Sequence, residues 1–187
     1  MGRTPSRTAI AGPSRGPATA GLVRFNAASA DAAEAALLTC CASRRWARRL
    51  AEHRPYPDLE ALLAAADEAG YDLAPTDLAE ALAGESSSNL RPGAPRTAHT
   101  ALRAALAAYE SRFGHTFVAC LDGHHPDERL DQLLTGIRQR LSHEPDKERS
   151  VTADELRRLA RARLTHLVTN HPESRENGCP DSPSVPV

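Results

Sequence analysis

Leu102, Leu106, Tyr109 and Phe113 stand three or four residues apart, and Leu130, Leu133, Leu134, Ile137 and Leu141 repeat that spacing further along the chain. At 3.6 residues per turn each set lines one side of an α-helix; a strand would alternate its faces every second residue. Composition points the same way. Apolar residues make up 41% of the chain but aromatics only 4%, so the interior must be built from Leu and Ala, which favour helix over strand. The expected fold is all-α, a single compact domain of about seven helices over 21–170 between disordered tails at 1–20 and 171–187.

Local signals divide that domain. A helix over Asp31–Cys41, capped by Ser29 or Asp31, turns Ala33, Leu37, Cys40 and Cys41 inward. A second runs from Arg44 to Glu52 and stops before Arg54-Pro55. A third starts from an Asp58 cap and ends at Gly70, and a fourth spans Pro75–Ala83 and stops at Gly84. Gly84–Pro95 has loop composition and no periodicity. Helices follow over Thr97–Phe113, Pro126–Leu141 and Asp146–Val168. The short apolar run Thr116–Leu121 reads equally as helix or extended chain.

Net charge excludes one class of partner. With 23 basic and 24 acidic residues there is no basic excess to meet nucleic acid, which disfavours a DNA-binding helical domain. No apolar stretch approaches the ~20 residues that cross a bilayer, so no membrane partner is expected. Arg3, Arg7, Arg15 and Arg24 precede the first acid, Asp31; this suits a disordered basic tail, or an organelle transit segment. The cysteines, Cys40, Cys41, Cys120 and Cys179, form no C-x-x-C pair and read as core-filling thiols of a cytoplasmic protein. His124 and His125 sit in a loop at a helix entry with no third ligand at helical spacing, so no metal site is expected.

Three residues could carry chemistry. Leu156, Leu159, Ala160 and Leu167 form an inward stripe on the last helix, and Arg163 falls in its middle. A guanidinium there is an anion clamp, its fork matching a carboxylate or planar ureido group, or half of an internal salt bridge, or a side chain that snorkels to the surface. Glu85, directly after the fourth helix, is either a proton-shuttling carboxylate or a plain surface acid. His99, at the edge of the irregular loop, is a side chain of the type that titrates near neutrality.

Several stretches together resemble a known family. They are Arg24-Phe25-Asn26, the run Ala36–Ala47, Arg54-Pro55-Tyr56-Pro57-Asp58, the run Ala108–Phe117, Gly123, Arg140-Leu141-Ser142-His143-Glu144-Pro145 with Glu148, Glu155–Leu159, and Arg163-Leu164. In this order, over about 22–168, they are similar to the decarboxylases acting on 2-oxo-4-hydroxy-4-carboxy-5-ureidoimidazoline (OHCU) in urate breakdown. The resemblance implies a helical homodimer, no cofactor, and decarboxylation with reprotonation on one face to give (S)-allantoin. The substrate's own ring can accept the electrons released with carbon dioxide, so the protein has to orient the carboxylate, exclude water and deliver one proton. In the family an arginine at the place of Arg163 contacts substrate.

The resemblance breaks after the fourth helix. The family has His-Pro-x-Ile-Gly there, its histidine serving as acid/base, then a Ser-x-x-Glu-Gln block. Here the stretch reads Glu85-Ser86-Ser87-Ser88-Asn89, and the second block is absent. Two expectations follow: a decarboxylase whose rebuilt site uses Glu85 or His99 for proton transfer, or a paralogue without this catalysis that binds a small anion or stabilises a partner enzyme.

Overall fold

A computed structural model describes residues 20–85 and 96–169. The expected tails, apart from Ala20, and most of the Gly84–Pro95 loop lie outside the described residues. Those residues form eight α-helices and no strand: α1 (Ala20–Ala27), α2 (Ala30–Leu38), α3 (Arg44–Glu52), α4 (Leu59–Tyr71), α5 (Pro75–Ala83), α6 (Arg96–Phe113), α7 (Arg129–Arg140) and α8 (Pro145–Thr169). None is long and apolar enough to cross a membrane.

The helix starts follow capping chemistry. Ser29, rather than Asp31, caps α2 by accepting from the Ala32 N–H at 3.2 Å, and Ser43 and Asp58 do the same for Trp46 and Ala61. These bonds satisfy amide donors that a first helical turn leaves open. At α5 the Asp77 carboxylate reaches back to the Ala74 N–H, and Pro75 fits the first helical position because its missing N–H would have no partner there.

Two hydrophobic clusters make up the interior. The larger joins α1–α5 to α8 around Trp46, whose indole N–H donates to the Ala66 carbonyl at 3.0 Å. Cys40 and Cys41 belong to it, but they lie just past the end of α2 rather than within it. Burial pushes the Cys41 thiol up to about 11 and raises Cys40 as well, which suits core-filling thiols rather than reactive ones. The smaller cluster joins α6 and α7 through Leu102, Tyr109, Phe117, Leu133 and Ile137.

Four local features differ from the sequence reading. The eighth helix is α1, which has no capping signal and turns only Gly21, Leu22 and Phe25 inward. It is held by its surroundings: Arg54 donates to the Phe25 and Ala28 carbonyls at 2.8 Å, and Asn26 exchanges two hydrogen bonds with the Tyr56 backbone. Gly70 does not end α4, which continues to Tyr71; a Cβ there would stand 2.9 Å from the Arg157 side chain, so the glycine serves the contact with α8. α7 starts at Arg129 rather than Pro126, after a turn closed by the Glu128 N–H on the His125 carbonyl. The run Thr116–Leu121 has no regular structure; Gly114 and Gly123, both with left-handed φ, bracket the irregular segment that contains it.

The contact between α1 and α8 supplies a stability test. A Cβ at Gly21 would fall 2.0 Å from the Val168 carbonyl oxygen, a backbone atom that cannot swing aside. Gly21→Ala should therefore destabilise the fold by about 1–3 kcal/mol, seen as a lower thermal midpoint. An unchanged midpoint would show that α1 is not seated on α8 in this way.

Candidate functional site

Helix α8 runs beside the irregular segment 117–122, and a cavity of about 440 Å³ opens between them. Two side chains fix its wall. Arg140 donates to the Val118 carbonyl at 2.6 Å, and the Cys120 N–H donates to Glu155 on α8 at 2.8 Å. The segment's backbone thus becomes a stable face of the cavity, with Leu133 and Leu159 as apolar lining and Glu85, Arg129, Arg163 and His166 as polar lining. Its volume suits a small metabolite.

Arg163 is placed differently from the helical-wheel expectation. The buried stripe of α8 is Glu148, Thr152, Leu156, Ala160, Leu164 and Val168, one residue in four. Arg163 sits on the flank of that stripe, with 37% of its side chain exposed, not in its centre. Leu159 and Leu167 are likewise only partly buried. Of the expected roles, the internal salt bridge is present, and the guanidinium also lines the cavity.

The partner is Glu85, 7% exposed, so the surface-acid reading of it is corrected. Glu85 leaves the end of α5 turned inward; its own N–H donates to the Leu82 carbonyl. Nη1 of Arg163 donates to one carboxylate oxygen of Glu85 at 2.6 Å and Nη2 to the other at 2.8 Å, while Nη1 also donates to the Cys40 carbonyl at 3.1 Å. The carboxylate raises the arginine pKa still further, outweighing the desolvation that lowers it. A guanidinium carries five N–H donors. Among the described residues the Nε–H and one Nη2–H of Arg163 have no partner.

His99 is not part of this constellation. It lies half-buried in the first turn of α6 and does not line the cavity. His124 and His125 are exposed ahead of α7, with His125 Nδ1 3.5 Å from the Asp127 carboxylate. The sequence reading missed Arg129 and His166. His166 could have been found from its spacing, three residues beyond Arg163 and so on the same side of the helix. Arg129 becomes a cavity residue only through the path of segment 117–122, which periodicity does not reveal.

A second polar centre is sealed inside the protein. Glu148 is fully buried and Arg140 is 6% exposed. Arg140 Nε donates to Glu148 at 2.8 Å and its Nη2 to Thr152 at 2.8 Å, while Tyr109 donates its hydroxyl to the same carboxylate and His143 Nδ1 lies 2.8 Å from the other oxygen. The guanidinium also stacks 4.5 Å from the Phe117 ring centre. Every charged atom is answered within the protein, so this centre organises structure and leaves little for a ligand.

Comparison with known proteins places the chain. The family model described as OHCU decarboxylase matches residues 26–87 and 83–165, two stretches that overlap at the end of α5. No curated protein matches. Among solved structures, a crystal structure of (S)-allantoin synthase aligns with TM-score 0.65 at 15% identity, covering 81% of this chain and 54% of that one. The chain thus spans about half the length of that protein. A crystal structure of OHCU decarboxylase in the presence of (S)-allantoin aligns with TM-score 0.65 at 18% identity, covering 76% of this chain and 100% of the other. At these identities the structures speak for the fold. The family match, which runs over most of the chain, carries the further conclusion that the protein belongs to the OHCU decarboxylase family.

Proposed function

We propose that this protein decarboxylates 2-oxo-4-hydroxy-4-carboxy-5-ureidoimidazoline to (S)-allantoin in the cavity beside α8. The observation that carries this reading is Arg163, part-buried at the cavity wall with its plane fixed and, among the described residues, two N–H donors without a partner. Those donors suit a carboxylate or ureido oxygen. Substrate bound there is oriented by Arg163 and screened from water by Phe117, Leu133 and Leu159. Carbon dioxide leaves, its bonding electrons pass into the substrate ring, and a proton is added to one face. None of these steps calls for a cofactor.

Glu85 serves as the positioning residue for Arg163. An ionised carboxylate engaged through both oxygens is a poor proton donor, because protonation would break the pair. Glu85→Gln should therefore lower kcat/KM by roughly tenfold or less. Loss of a true acid/base costs ~10²–10⁴-fold, and a fall of that size would return Glu85 to the proton-transfer role. His99, outside the cavity, should be replaceable by Gln with no effect on turnover.

The test is to generate substrate freshly from urate with the two upstream enzymes and follow carbon dioxide release. Acceleration over the spontaneous decay supports the proposal, and a rate equal to the spontaneous one removes it. One sequence feature favours a second reading, a paralogue without this catalysis that binds a small anion or stabilises a partner enzyme: Glu85-Ser86-Ser87-Ser88-Asn89 stands where the family has its acid/base histidine. Saturable binding of allantoin without turnover would support that reading.

A further inference from the structure

The geometry points to His166 as the proton donor of this site. The inference rests on the decarboxylase reading above, and it begins from what the cavity offers. Arg163 is held by Glu85, which tightens its grip on its proton. Glu85 is committed to Arg163 through both oxygens. Asp122 is exposed on the far segment. Cys120 has its backbone N–H tied to Glu155. Imidazole is the side chain that exists in both protonation states near neutrality.

Position supports the same choice. His166 lies three residues after Arg163 on α8, so the two side chains project from one side of the helix, and both line the cavity. Among the described residues His166 makes no hydrogen bond or ion pair, which leaves its ring free to turn toward a ligand. It is exposed, so solvent can recharge it between turnovers. The facing charges are Glu85, Asp122, Arg129 and Arg163.

The step balances. The bond between ring carbon and carboxylate breaks, carbon dioxide leaves without the bonding pair, and that pair is taken into the ring. His166 as imidazolium then gives its proton to the ring carbon on its own side. Neutral imidazole regains a proton from water, so each turnover consumes one proton overall. Delivery from one side accounts for a single enantiomer.

His166→Gln tests the assignment on the intact protein, with His124→Gln, exposed and outside the cavity, as the control. The expected result for His166→Gln is a kcat lower by ~10²–10³-fold and a KM within about threefold of wild type, as expected when a transition-state interaction is removed. The fall of kcat with rising pH that a protonated histidine imposes should disappear, and added imidazole should restore part of the rate. The allantoin formed should lose optical purity. If wild type turns over and His166→Gln keeps both its kcat within twofold and its pH profile, the assignment is overturned while the decarboxylase reading stands. An inactive wild type overturns both.

Discussion

Replacing Arg163 by Ala should reduce kcat/KM by at least about a hundredfold, with the helical circular dichroism spectrum retained. The magnitude comes from loss of the group that orients the substrate, since misplacement of ~1 Å alone can cost ~10² in rate. Truncation also leaves the Glu85 carboxylate facing the cavity without its partner. Water can enter a cavity of about 440 Å³ and solvate it, so the effect on the fold should stay near 1–3 kcal/mol. Arg163→Lys is the sharper variant. It keeps the charge but cannot hold both Glu85 oxygens and the Cys40 carbonyl while presenting two further donors. It should therefore remain strongly impaired. Wild-type kcat/KM in the alanine variant would mean that the substrate binds elsewhere.

The largest effect on stability is expected at Glu148. Its carboxylate is fully buried between α6, α7 and α8, paired with Arg140 and hydrogen-bonded by Tyr109 and Thr152. Glu148→Ala strands the Arg140 guanidinium, 6% exposed, without its counter-charge. Breaking a buried pair from one side costs about 3–5 kcal/mol, a large part of the 5–15 kcal/mol typical of a whole domain. Urea denaturation should show the loss as a lower midpoint with an unchanged slope. Arg140→Met combined with Glu148→Leu should recover much of it, because no uncompensated charge then remains. A midpoint equal to wild type in Glu148→Ala would contradict the buried pair.

The same carboxylate sets an acid limit. Burial alone pushes Glu148 up, but hydrogen bonds from Arg140, Tyr109 and His143 more than offset it and hold the group below its ordinary value of 4.5. A native value below the unfolded one means that the stabilisation is complete above the ordinary carboxylate range. It is lost as pH falls through the depressed native value. Stability should thus drop below pH 4.5 in wild type and much less steeply in the Arg140→Met, Glu148→Leu pair.

Helix boundaries set by local chemistry are legible in the chain: the stop signal of α3 at Pro55 and the start and stop signals of α5 at Pro75 and Gly84 stand in the sequence, and both helices lie where it places them. α1 was not legible, because its stability comes from Arg54 and Tyr56, about 30 residues away. Arg163 was singled out, but a wheel that counted Leu167 and omitted Leu164 and Val168 turned α8 slightly too far. Glu85 reads as a surface acid among serines, because its burial depends on an arginine 78 residues further on. Glu148 looks like one more charge at the start of a charged helix. Only the tertiary placement of Arg140 and Tyr109 makes a buried acid tolerable there.

The measurement that tests the central claim most directly is the circular dichroism of allantoin as it forms from fresh substrate with the wild-type protein. Catalysis in the Arg163 cavity predicts a growing signal of the (S) enantiomer that outpaces spontaneous decay and vanishes in Arg163→Ala. Product that accumulates at the spontaneous rate with no optical activity would contradict it.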